Sequence, residues 1–149
     1  MSQGETVGPL SQSVGYLLKR AATALRVAMD AALRPLDLTV PQYSCLEVLA
    51  QRPGLSNAEL ARAVFVTRQS MNLVLRGLQD RGLVTRPTTA PQGRALPSTL
   101  TPAGRALLHA ASGLVRAVEK RMLEPFPAAD QDRLLHDLAA CTDALSPKE

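Results

Sequence analysis

Apolar residues return every three or four positions through most of this chain, the rhythm of helices with one buried face. Val14, Leu17, Leu18, Ala21, Leu25, Ala28, Met29 and Ala32 predict a first helix over about 11–33, which Pro35 stops. Thr39 and Gln42 have capping-box spacing, with Pro41 in the first turn, where a missing N–H costs nothing. The helix they open, about 41–51, carries Tyr43, Leu46 and Leu49 and ends at Pro53-Gly54. Ser56 and Glu59 form a second capping box, followed by Leu60, Ala61 and Val64 on one stripe. Phe65 and Val66 sit at a turn, and Thr67 caps a fourth helix whose buried side is Met71, Val74, Leu75 and Leu78. Gly82 stands where a helix C-cap needs it.

The helical rhythm then breaks. Val84-Thr85-Arg86 reads as a short strand, 87–93 (PTTAPQG) as a turn, and 94–100 (RALPSTL) as a returning edge strand interrupted by Pro97. This predicts a β-hairpin wing. Thr101-Pro102 opens a long helix to about Glu124, with Leu107, Leu108, Ala111, Leu114, Val115, Val118 and Met122 on its buried side. Pro127 starts a last helix bearing Leu134, Leu135, Leu138 and Leu145. The first and last helices carry wider apolar stripes than a central unit of roughly 60 residues can cover, which predicts a two-fold dimer.

At about 100° per residue, Gln69, Asn72, Leu73 and Arg76 point away from the oily side of the fourth helix. Amide forks and guanidinium are the groups that read adenine and guanine edges. The plainer reading is a solvated polar face. Charge favours the former: from Ser56 to Arg105 seven arginines face two carboxylates, a local balance of +5 in a chain whose total is +4. A basic centre between nearly neutral flanks suits a polyanion. Arg76 is divided evenly between a DNA contact and simple solubilisation, whereas Arg81 is expected at a helix C-terminus.

The remaining composition narrows the classes. The 149 residues fit one domain, and 46% hydrophobic with 3% aromatic content means a core of Leu, Val and Ala. Cys45 and Cys141 have neither disulfide nor metal spacing. No signal peptide and no apolar run of about 20 residues is visible, so a cytoplasmic location without a membrane is expected. His109 and His136 lie in no ligand cluster; Asp132 and His136 read as a surface i, i+4 contact. No phosphate loop, nucleophile triad or paired catalytic carboxylates appear, so neither an enzyme nor a cofactor or metal is expected.

Taken in order, LTVPQYSCLEVLAQRPGLSNAELARAVFVT, LQDRGLV, GRA and LTPAGRALL resemble the MarR family of bacterial transcription regulators. The resemblance implies a mainly α fold with a small β-hairpin wing. In that reading, 1–149 is a single chain with a winged helix-turn-helix lobe over 38–107, flanked by helical dimerisation regions at 11–34 and 108–146. It implies a homodimer of triangular outline on double-stranded DNA with a pseudo-palindromic operator. A recognition helix would lie in the major groove and a wing in the adjacent minor groove.

Residue by residue, the family's reading helix starts at Thr67, and its base-facing positions fall on Arg68, Gln69, Ser70 and Asn72. Leu73 stands where many members have Arg, and is suited to a thymine methyl. Arg94 is the wing arginine, but Gln92 replaces the Asp that usually braces it. The resemblance also implies a small-molecule pocket, for which Tyr16, Arg20 and Tyr43 are the candidate contacts to a small aromatic ligand. The alternative for the two tyrosines is core or interface packing. One branch of the family senses peroxide through a first-helix Cys, which this chain lacks. The resulting expectation is a sequence-specific DNA-binding repressor released by a small ligand. Its rivals are a winged-helix protein-interaction module and a thiol-based redox regulator.

Overall fold

The computed structural model describes residues 6–86 and 97–147. A short 3-10 turn at Leu10–Gln12 leads into α1 (Val14–Leu33), and another at Arg34–Leu36 leads to α2 (Val40–Gln51). Then come α3 (Asn57–Val64), α4 (Arg68–Asp80), strands β1 (Val84–Thr85) and β2 (Thr99–Leu100), α5 (Pro102–Leu123) and α6 (Ala128–Leu145).

The helix starts are where local chemistry places them. Thr39 with Gln42 and Ser56 with Glu59 form reciprocal capping boxes, while Thr67 and Thr101 accept from Ser70 N and Gly104 N. α1 begins at Val14, the first residue of its apolar stripe and later than the expected start near 11, because the Ser13 side chain accepts from Tyr16 N and caps there. Nor does Pro35 simply end it: the chain runs on through one 3-10 turn, with proline at a position where it needs no N–H. α4 closes in a Schellman arrangement around Gly82 (φ +71), with Leu83 N bonded to Leu78 O at 2.9 Å and Gly82 N to Gln79 O at 2.9 Å.

α2 lies at the centre, packed on α3, α4 and α5, while α1 runs along α5. Leu33, Cys45, Leu46, Leu60, Met71, Leu75 and Leu78 are fully enclosed in this core. β1 and β2 pair antiparallel, Val84 opposite Leu100 and Thr85 opposite Thr99, and the two threonine hydroxyls meet at 2.8 Å. The strands are shorter than the sequence suggests; the tip of the expected wing, 87–96, lies outside the described residues. α5 docks close beneath β1. Thr101 N donates to Leu83 O at 3.1 Å and Thr101 Oγ1 to Gly82 O at 2.6 Å, with Gly104 facing the Leu83 backbone.

The outer helices behave differently. α6 buries none of its residues, and α1 buries only Leu33. Val14 is 77% exposed and Leu135 67%. Along with Leu17, Leu18, Met122 and Leu138 they leave an apolar surface that this chain does not cover.

Candidate nucleic-acid interface

The candidate interface is built on the α3–turn–α4 unit. α4 buries Met71, Leu75 and Leu78 against the core and exposes Arg68, Gln69, Ser70, Asn72, Leu73 and Arg76. No carboxylate stands in its first turn, so the positive end of the helix dipole is not offset locally. Thr67 Oγ1 accepts from Ser70 N at 3.0 Å and donates to Ser70 Oγ at 3.1 Å. Ser70 is therefore partly committed to the cap. Arg68 lines a hollow of about 330 Å³ with residues 54–59 and Pro97, next to where the chain returns from the wing. Glu59, at the opening of α3, is held below the usual carboxylate range by its hydrogen bonds with Ser56.

Two partners of this face are not visible in the sequence pattern. Asn57 Nδ2 donates to Asn72 Oδ1 at 2.9 Å, joining the start of α3 to the middle of α4. Arg86 Nη2 reaches the same oxygen at 3.5 Å from the end of β1. Asn72 thus sits among α3, α4 and the base of the wing. Arg81 turns away from the face: its guanidinium donates to Asp37 O at 2.7 Å and Leu36 O at 3.1 Å. That is a helix C-terminus, as expected for Arg81, but it belongs to the 3-10 turn after α1 rather than to α4. Arg94, together with Gln92, lies outside the described residues.

The proposed ligand set divides. Tyr16 and Arg20 line one open cleft of about 410 Å³ with Lys19, Thr23 and Ala24. Tyr43 is not part of it. At 8% exposure it belongs to the core, because α2 is covered by α5 at that point. Burial pushes its phenol above the ordinary range; Ser112 opposes the shift, and the charges of Glu47 and Glu119 add to it. Core packing was the alternative for Tyr43, and the geometry agrees with it.

Cys45 is enclosed, and burial alone pushes its thiol up to about 12. It is protonated at neutral pH, the opposite of a peroxide-sensing thiolate. Cys141 is exposed on α6. Among the described residues no group of three or more His, Cys, Asp or Glu could hold a metal ion, and no helix is long and apolar enough to cross a membrane.

A model of the MarR family matches residues 36–95. The HTH-type transcriptional repressor Rv2887 of Mycobacterium tuberculosis is 52% identical over 118 residues, 79% of this chain and 85% of that protein. Its crystal structure in complex with DNA is 48% identical, covers 84% of this chain and 96% of that chain, and has a TM-score of 0.72. Its complex with salicylic acid covers 86% and 95%, at 48% identity and a TM-score of 0.73. The transcriptional repressor CouR bound to a 23-mer DNA duplex is 32% identical over 93% of this chain and 98% of that one, with a TM-score of 0.81. With a capped reading helix, an antiparallel strand pair and these relatives in agreement, the chain belongs to the MarR family of winged helix-turn-helix transcriptional regulators.

Proposed function

We propose that this protein is a cytoplasmic homodimeric repressor that reads a two-fold related operator in double-stranded DNA and leaves it when a small aromatic acid binds. One observation carries the DNA reading. The solvent face of α4 presents Arg68, Gln69, Asn72, Leu73 and Arg76 with no intervening acid, on a helix whose opposite face is locked into the core. A rigid mount of that kind holds base-reading side chains in register. Likeness to repressors solved on DNA supports it.

The dimer follows from the uncovered stripes of α1 and α6. Two copies would place two reading helices one DNA turn apart. For the ligand, the cleft on α1 offers two cations and a phenol ring, which suits a carboxylate on an aromatic ring. The likeness to a protein solved with salicylic acid points the same way. A ligand that binds more tightly to a dimer of unsuitable spacing shifts the population away from DNA by that difference in affinity.

Selection of bound duplexes from a random library tests the whole. The expected result is two inverted half-sites about 10 base pairs apart, centre to centre, with affinity that falls steeply as salt rises. Equal binding to every duplex, or a flat salt response, overturns the reading. Salicylate should release the selected duplex from the wild type and not from Arg20→Ala.

A further inference from the structure

The turn between α3 and α4 contains a contradiction. Phe65 has φ +64, in the left-handed region, with Val66 N bonded to Ala61 O at 3.0 Å and Phe65 N to Arg62 O at 3.4 Å. This is a Schellman arrangement with phenylalanine in the position that glycine favours. Asp37 also has a positive φ, but a short polar side chain tolerates it; a bulky aromatic does not. The strain is not offset by packing, since Phe65 is 93% exposed. Between Leu38 and Leu107, the large apolar side chains left exposed among the described residues are Phe65 and Leu73, and both belong to the helix-turn-helix. Phe65 stands two residues before Thr67, the cap of the reading helix, so its Cα lies within about 8 Å of that cap. Arg62 and Arg68 flank it three positions away on each side.

We propose that Phe65 is a DNA-contacting residue, placing its ring on an apolar part of a nucleotide at the edge of the major groove. An aromatic group between two guanidiniums suits a polyanion that also presents apolar surface. Duplex DNA offers that surface as the thymine 5-methyl and the deoxyribose face. A strained, exposed residue kept beside a binding helix gains its packing only when the ligand arrives. This inference rests on the DNA-binding reading above and adds a specific contact to it.

The test compares the wild type, Phe65→Gly and Phe65→Tyr on the selected duplex, and on the same duplex with deoxyuridine replacing thymidine at the ends of each half-site. Phe65→Gly should melt a few degrees higher, because glycine relieves the backbone, yet bind DNA about tenfold more weakly. Phe65→Tyr should bind as the wild type does. If the contact is a thymine methyl, deoxyuridine weakens the wild type and leaves Phe65→Gly unchanged. If it is the sugar, deoxyuridine affects both proteins alike and the tenfold loss remains. Equal affinity of Phe65→Gly and wild type overturns the proposal, as does a Phe65→Gly protein that has lost its dimer by sedimentation. A wild type that binds no duplex defeats the DNA-binding reading itself, a separate result.

Discussion

Asn57 Nδ2 donates to Asn72 Oδ1 at 2.9 Å, and the bond links the two helices of the helix-turn-helix across 15 residues of sequence. Bidentate reading of adenine needs the amide oxygen of Asn72 as an acceptor as well as its nitrogen as a donor. Here Asn57 and Arg86 already address that oxygen. Asn72 is therefore oriented before DNA arrives, and its free donors are the groups left to meet an acceptor.

The coupling can be measured. Asn72→Ala should cost about 0.5–1.5 kcal/mol on the selected duplex, the scale of a hydrogen bond from its free donors. Asn57→Ala should cost less, and the double variant no more than Asn72→Ala alone, because Asn57 acts through Asn72. Titration of the four proteins checks this; strictly additive losses would show that the two side chains work independently.

Arg81 makes the opposite kind of prediction. Its guanidinium bonds two carbonyls of the turn after α1 and does not face the DNA side. Arg81→Ala should lower stability by about 1–2 kcal/mol in urea unfolding, the scale of charge-assisted bonds at a solvent-accessible site. Affinity per folded molecule for the selected duplex should hold. A selective loss of DNA affinity at unchanged stability would move Arg81 into the interface.

Gly104 and Gly77 form a controlled pair. A Cβ on Gly104 would collide with the Leu83 carbonyl, a backbone atom that Thr101 N also holds. Gly104→Ala should therefore destabilise by about 1–3 kcal/mol or more. At Gly77 the nearest atom to a Cβ is Gln42 Nε2 at 3.6 Å, an ordinary contact with a flexible side chain. Gly77→Ala should be neutral or gain up to about 1 kcal/mol, from the helix preference for alanine. Thermal melts should fall clearly for Gly104→Ala and hold or rise for Gly77→Ala.

The thiols separate by burial. A maleimide reagent at neutral pH should label Cys45 only after unfolding. The raised Cys45 pKa also has a stability consequence. Its contribution is fully present below the unfolded value near 9.0, because both states then hold the proton. Above that, the unfolded state loses its proton first, so stability falls by about 1.4 kcal/mol per pH unit until the folded value of about 12 is passed. Cys45→Ala should flatten that part of the alkaline decline in denaturant titrations. An unaltered slope would assign the decline to other groups, among them Tyr43, whose phenol is raised in the same direction.

Much of this fold is legible along the chain because helix starts and stops are settled within one turn. Thr39 with Gln42, Ser56 with Glu59, Thr67 with Ser70 and Thr101 with Gly104 each act over three residues, and each bond is present. Gly82 marks the end of α4 for the same reason. The exposed face of α4 is also legible, since Met71, Leu75 and Leu78 define the buried side by spacing alone.

Other features depend on which segments packing brings together, and local chemistry does not contain them. Asn57 meets Asn72 only once α3 and α4 cross, and Arg81 finds Asp37 from 44 residues away. Tyr43 parts from Tyr16 and Arg20 because α5 covers α2 while the cleft on α1 stays open. Periodicity shows that a helix has an apolar face, but not what covers it. The stripe of α4 meets a core, whereas α6 buries none of its residues in its own chain. Phe65 shows the same limit on a single residue. Its identity suggests burial, and only the left-handed backbone between two docked helices turns its ring out to solvent.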